Sequence, residues 1–359
     1  MRYNRVYIDS FGYELPPVVV STAELEDRLH AMYKKLHIAP GQLEYITGIS
    51  ERRWWNPGFR LSDGAIAAGR KALENSSVTA DDLDILIYGS VCREHFEPAT
   101  ACRVADGLGI RGRAEIFDIS NACLGVVNGM VDIANRIELG QIRAGMVVGC
   151  ETAREINEIM IERMLGLSDM ESFTKNLATL TGGSGAAAVL LTDGSFSEEK
   201  RRKIIGGVAH SAPEHHELCI WGLEAGAARQ AAHDNREIRQ EVLTPFTCTD
   251  SAAVLKNGVA LGVETWSDFL KEVEWKADEI DKTVCHQVGK GHQDAVLAAI
   301  GVTPEKDYAT YPYLGNVGTV SLPISAALAE EREFVQAGQK VGFLGIGSGL
   351  NCLILGVEW

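Results

Sequence analysis

Apolar residues fall along this chain in short unbroken runs, separated by stretches with helical spacing. That is the pattern of strands buried on both faces and of the helices that cover them. ILIYGS (85 to 90), AGMVVGCE (144 to 151) and GGSGAAAVLLT (182 to 192) read as such strands, the last entered through a glycine-rich turn. The chain opens with a strand-like segment over 3 to 20, broken at Pro16-Pro17. Ser21 or Thr22 then caps a helix running through LEDRLHAMYKKL, with Glu24 in its first turn. A polar and aromatic loop, TGISERRWW (47 to 55), precedes an alanine-rich helix opening at Ser62-Asp63. Residues 91 to 109 form a loop that enters a helix just after Pro98. A further polar, methionine-containing excursion over 152 to 180 suits a lid or tunnel wall.

The pattern then repeats from KIIGGVAHSA, near Lys203. ADDLDILIYGSV (80 to 91) aligns with ADEIDKTVCHQV (277 to 288), and NACLG (121 to 125) aligns with LGNVG (314 to 318). Two matches in the same order, at offsets of 197 and 193, predict a duplicated α/β unit. The boundary is expected near residue 195, giving halves over 1–195 and 196–359. Duplicated parallel strands would point their C-terminal ends at one crevice, where open α/β sheets place their sites.

Within this pattern FDISNACLGVVNGM (117 to 130) delivers Cys123 where a strand hands over to a helix. A helix N-terminus favours a thiolate, and cysteines so placed can fall from about 8.5 into the roughly 3.5 to 7.5 range. A small buried thiol among Ala, Leu and Val is the competing reading. His286 follows the apolar run TVC, and Asn316 stands at a strand-to-helix junction equivalent to that of Cys123. A Cys, a His and an Asn at three strand ends can supply a nucleophile, its proton partner and a neutral donor for an enolate. Gly345, Gly347 and Gly349 in FLGIGSGLN (343 to 351) would let backbone N–H groups approach a ligand, and neither nucleotide-binding glycine fingerprint is matched.

Composition narrows the function classes. At 359 residues the chain can bury a large interior, and a net charge of -15 disfavours nucleic acid and anionic membrane as partners. No apolar run approaches a transmembrane length and MRYNRVYIDSFG lacks a signal-peptide core, so a cytoplasmic protein is expected. Eight cysteines without CxxC pairs point away from zinc ribbons and disulfide frameworks. The His215-His216 pair, flanked by Glu214 and Glu217, fits no familiar metal spacing.

Taken as an ordered set, TGISERR, NACLG, GGSGAAAVLL, CHQ around His286, LGNVGTVS and the terminal GIGSG resemble the thiolase superfamily, and within it the ketoacyl synthase III group. This resemblance implies a five-layered αβαβα fold built from two duplicated halves and a homodimer. It also implies a site in which Cys123 is acylated by a thioester while His286 and Asn316 hold a second thioester's carbonyl. The backbone N–H groups of Cys123 and Ser348 would form the oxyanion hole. Coenzyme A thioesters would be substrates, with no separate cofactor or metal.

Fatty-acid-initiating members read HQAN followed by Arg, whereas this chain reads HQVGKGH, so carrier-protein docking is not carried over. Tyr45 and Ser50 stand where those members place coenzyme A contacts, and GGSGAAA lacks their Asp. Glu97 lies in HFEPATA, in the loop that in this family reaches the partner's site. The chain is similar there to the OleA-type enzymes, which join two fatty acyl-CoA molecules head to head. Such a substrate has no carboxyl group to lose, so a base must take its α-proton, and Glu97 is the candidate, with Glu94 and His95 as neighbours. A non-decarboxylative Claisen condensation to a β-keto acid is therefore expected, and a downstream enzyme could take that product. A decarboxylating synthase III reaction with a malonyl thioester, a hydroxymethylglutaryl-CoA synthase-like reaction and a silent acyl-binding subunit are the alternatives.

Overall fold

The computed structural model describes residues 1–167, 169–198, 201–225, 229–233, 236–240 and 243–359. One nine-stranded mixed sheet runs through it. Its first five strands are β1 (Tyr7–Glu14), β2 (Ile85–Gly89), β3 (Glu115–Ile119), β4 (Ala144–Glu151) and β5 (Gly185–Thr192). The other four are β6 (Lys203–Ser211), β7 (Lys282–Cys285), β8 (Lys340–Gly347) and β9 (Asn351–Glu358). Their order across the sheet is β7-β8-β9-β6-β1-β5-β4-β2-β3.

Read outward from the middle, the two sides repeat each other. β1, β5, β4 and β2 are joined by antiparallel, antiparallel and parallel ladders. β6, β9, β8 and β7 are joined in the same sequence. The counterpart of β3 is reduced to a parallel bridge between Thr283 and Asp307. The two sides meet through the antiparallel pairing of Tyr7 with Lys203 and an antiparallel bridge between Arg2 and Gly206. The chain thus folds as two copies of one α/β unit, back to back along their first strands.

Six helices complete the units: α1 (Leu61–Glu74), α2 (Thr100–Leu108) and α3 (Gly125–Glu138) in the first, α4 (Ser251–Val273), α5 (Lys290–Ile300) and α6 (Ser321–Glu331) in the second. Alternation along the strands sorts them into layers. Leu86, Tyr88, Met146 and Val148 face α1 and α2, while Ile85, Ile87 and Val147 face the opposite way, toward α3 and α6. Phe343, Leu353 and Leu355 close on α3 and α6 from the other side, and Leu344, Cys352 and Ile354 face α4 and α5. The result is α/β/α/β/α, with α3 and α6 in the middle layer. Every residue of α6 from Ser321 to Ala329 is buried, so its sequence is small and apolar on all faces. Each fully buried aliphatic side chain here contributes about 1.5–3 kcal/mol.

Some local expectations are revised. The first predicted helix is two, Thr22–Arg28 and His30–Leu36, with Ser21 and Glu24 forming a capping box on the first. The loop after it contains a strand, Glu51–Trp54, paired with Val18–Ser21. Residues 152 to 180 hold helices Arg154–Leu165 and Met170–Leu177, whose Ile161, Met164 and Phe173 pack with Leu25, Leu29 and Trp54. The excursion is therefore a packed subdomain. α1 begins at Leu61 without a side-chain cap of its own, and Glu94 accepts from the Ser62 N–H and hydroxyl instead.

The middle layer sits unusually close to the first sheet at one point. A Cβ on Gly89 would lie 2.7 Å from the carbonyl carbon of Gly125, so the end of β2 and the start of α3 touch backbone to backbone. Gly89→Ala is expected to lower stability by about 1–3 kcal/mol, read as a lower urea midpoint, and to slow modification of Cys123. An unchanged midpoint would contradict the contact.

Candidate active site

Cys123 occupies a tight turn between β3 and α3. The turn is closed by Leu124 N–H to Asn121 O at 2.9 Å and Gly125 N–H to Ala122 O at 3.3 Å. Ala122 adopts φ of 45°, a left-handed conformation that costs an alanine about 1–3 kcal/mol. The end of β8 runs along this turn. A Cβ on Gly347 would stand 3.4 Å from the Cys123 nitrogen, and one on Gly345 would stand 2.6 Å from Leu124. Gly345 makes room for the Leu124 side chain and Gly347 for both that side chain and the Cys123 backbone, with Ser348 following in the next turn. Asn351 fixes that turn by donating to Asn121 Oδ1 at 3.1 Å.

The start of α6 meets the start of α3 face to face. Thr319 Oγ1 accepts the Val126 N–H at 2.7 Å. Asn316 is anchored through its backbone, N–H to Thr181 O and O from Gly183 N–H, each at 2.9 Å. Its Oδ1 accepts the Gly318 N–H at 3.0 Å, so the end of the amide left for a ligand is the NH2 donor. His286 follows β7, 5% exposed, with its N–H donating to Leu344 O at 2.8 Å. The Ser321 hydroxyl lies 2.7 Å from His286 Nδ1 and donates to Gly318 O at 2.7 Å. A serine has one hydrogen to give. With that hydrogen on the carbonyl, Nδ1 must carry the ring proton and Nε2 keeps its lone pair.

Electrostatically the site is neutral. Burial, with His292 nearby, pushes the His286 pKa down to about 3, so the ring is uncharged. Burial also pushes the Cys123 thiol up to about 12, helped by Cys219 and by the Glu151 carboxylate. The expected depression by the helix N-terminus is therefore overturned. Cys123 is partly exposed, but the atoms around it desolvate a thiolate, and Glu151 and Cys219 nearby disfavour a second negative charge. A thiol so held gives up its proton only to a base, and Nε2 of His286 has the form of one.

Cys123, His286 and Asn316 thus share one set of interlocked turns, whereas Glu97 does not join them within the protomer. It is exposed on the loop after β2, next to Phe96, which is 97% exposed. Glu94 is committed to the start of α1, which separates its role from that of Glu97, and His95 is exposed. His215 and His216 lie in a short turn, and no group of three metal-binding side chains occurs among the described residues. All eight cysteines are free thiols. A small apolar cavity of about 30 Å³ lies behind His286, lined by Gly258, Gly262, Val296 and Ile346. A larger polar one of about 440 Å³, among Asp9, Glu74, Ser77 and Arg202, contains none of the candidate residues.

Glu151 and Ser321 escaped the sequence reading. The signal for Glu151 is a lone acidic residue closing an otherwise apolar strand, and for Ser321 a serine opening an apolar helix just after Asn316.

The thiolase N-terminal domain model matches residues 59–182, and the 3-oxoacyl-[acyl-carrier-protein] synthase III C-terminal model matches 270–359. An acyl-CoA:acyl-CoA alkyltransferase of Shewanella oneidensis is 50% identical over 361 residues, covering 100% of both chains. Its namesake from Xanthomonas campestris is 32% identical over 360 residues, again covering 100% of both. A crystal structure of Xanthomonas campestris OleA with bound lauric acid and lauroyl-CoA superposes with a TM-score of 0.89 at 32% identity, over 99% of this chain and 100% of that one. With its fold, its two-domain match and its full-length relatives in agreement, this chain belongs to the acyl-CoA:acyl-CoA alkyltransferase family of thiolase-like enzymes.

Proposed function

We propose that this protein joins two acyl-CoA thioesters head to head without decarboxylation, as a homodimer in the cytoplasm. The observation that carries this reading is the division of labour in the chain. A neutral Cys-His-Asn site is enclosed in the protomer, and a carboxylate is held outside it on an exposed loop, in a family whose named relatives act on acyl-CoA.

Acylation comes first. His286 Nε2 takes the Cys123 proton as the sulfur attacks the first thioester carbonyl. The backbone N–H groups of Cys123 and Ser348 receive the oxyanion, each such donor being worth roughly 10²–10³ in rate. Nε2 hands the Cys123 proton to the departing coenzyme A, which leaves as its thiol. The second acyl-CoA then enters with its carbonyl oxygen at the Asn316 NH2, beside the neutral His286 ring. Glu97 of the other protomer removes the α-proton, the enolate attacks the acyl-enzyme, and the Cys123 thiolate released is reprotonated with the proton that Glu97 took, which restores both groups. Hydrolysis of the remaining thioester gives a 2-alkyl-3-ketoalkanoic acid. That product loses carbon dioxide readily, which favours a partner enzyme that consumes it. The side chains and the two thioesters suffice, with no further cofactor in the scheme.

A malonyl thioester could use the same His286 and Asn316, and that decarboxylating reading is favoured by the synthase III match at the C-terminus. It has no use for Glu97, so the two readings separate there. Glu97→Gln is expected to lower condensation roughly 10²–10⁴-fold while acyl transfer to Cys123, followed by intact-protein mass spectrometry, remains measurable. Equal loss of both would remove Glu97 from the base role.

The elevated thiol pKa gives a second test. Since ionisation is displaced from about 9 to about 12, the thiolate fraction keeps rising with pH beyond 9. Alkylation of Cys123 by iodoacetamide is therefore expected to accelerate steadily from pH 7 to pH 10, and a plateau below pH 9 would contradict the burial argument.

A further inference from the structure

The root of the loop that bears Glu97 is fastened to the end of β4 with unusual density. Tyr88 donates its hydroxyl to Cys92 O at 2.9 Å and lies 3.0 Å from Cys150 O, and the Ser90 hydroxyl donates to Cys150 O at 2.9 Å. At the centre sits Glu151, 3% exposed. Its two oxygens accept from the Val91 N–H at 3.0 Å and the Cys92 N–H at 3.2 Å. On its other side the same carboxylate packs against the Asn316 turn, where a Cβ on Gly318 would lie 3.1–3.3 Å from Glu151 Cγ, Cδ and Oε1. From Arg93 to Pro98 the loop is mostly exposed, and within it Glu94 is held to its own protomer by the Ser62 N–H and hydroxyl.

We propose that Glu151 is a positioning residue that aims the Glu97 loop, so that its effect falls on the partner protomer's condensation step rather than on chemistry in its own site. The inference rests on the reading that Glu97 acts across the dimer. The asymmetry follows from the two kinds of contact. Toward the loop Glu151 accepts the Val91 N–H and shares the Cys92 N–H with Ser90 Oγ, each at 3.2 Å, and a glutamine can accept only one of the two N–H groups without turning its own NH2 onto the other donor. Toward Gly318 the contact is van der Waals, which the isosteric glutamine keeps. In its own site glutamine removes no atom that the acylation step uses, so acylation there is preserved.

Mixed dimers, purified through two different affinity tags, separate the two directions. In the first, Cys123→Ala and Glu151→Gln share one chain and the other chain is unaltered. The one working cysteine is then served by the altered loop. Condensation is expected to fall roughly ten- to hundredfold below a Cys123→Ala/wild-type control, as for a buried donor left unsatisfied. In the second, Cys123→Ala is on one chain and Glu151→Gln on the other, so the working cysteine is served by an unaltered loop and the rate should match the control. Equal loss in both arrangements, or loss in the second alone, would overturn the proposal. If the glutamine chain fails to fold, judged by loss of Cys123 acylation in its homodimer, Glu151→Asp is read in the same pairings with a smaller loss of the same polarity. Glu97→Gln in both arrangements is the control for the underlying reading. Loss only when it shares a chain with the working cysteine, or a protein that forms no mixed dimer, would sink action across the dimer. Failure of the Glu151 variants alone would leave that action standing.

Discussion

The structure depends on one steric constraint: two central helices, each packed between the two halves of the large sheet, must begin within touching distance of each other. Glycine at 89 and 125 lets β2 meet α3 backbone to backbone, and Thr319 at the start of α6 caps the first turn of α3. From that junction the site follows. Cys123 lies one residue before the cap of α3, Asn316 and Ser321 flank the entry to α6, and His286 is held against Ser321 from the neighbouring strand end. The duplicated topology places these turns on the same side of the sheet, so a nucleophile and a donor arise from equivalent positions of the two copies.

Burial at this junction decides the chemistry. It holds the cysteine as a thiol and the histidine as a neutral ring, so the site at rest contains a proton donor and a proton acceptor instead of a preformed ion pair. The Ser321 hydroxyl selects the tautomer by spending its single hydrogen on Gly318 O. On the proposed route a proton taken from the cysteine passes through Nε2 to the departing coenzyme A, which returns the ring to its neutral form. A neutral pocket of this kind suits thioesters, whose charge appears only in the transition state, and it leaves α-proton removal to a group from outside.

Much of this architecture was legible in the chain. The unbroken runs at 85 to 90 and 144 to 151 gave strands because burial on both faces leaves a period-free apolar signature. The internal matches marked Cys123, His286 and Asn316 as strand-end residues because a duplication repeats its turns. What the sequence hid depends on contacts between distant segments. Glu94 caps α1 across 32 residues, which no local capping pattern can announce. The first helix breaks at Leu29 although its spacing continues, since tertiary packing overrides propensity. The thiol pKa was misread because the helix N-terminus is a local feature, whereas Glu151 and the desolvating walls arrive from elsewhere in the chain.

Product analysis with purified protein tests the central claim most directly, using a medium or long acyl-CoA with and without malonyl-CoA. The account expects free coenzyme A and a symmetrical ketone, formed by decarboxylation of the β-keto acid, from acyl-CoA alone. Product formed only when malonyl-CoA is present would contradict it, and would place the protein among decarboxylating synthases in which Glu97 is an ordinary surface carboxylate.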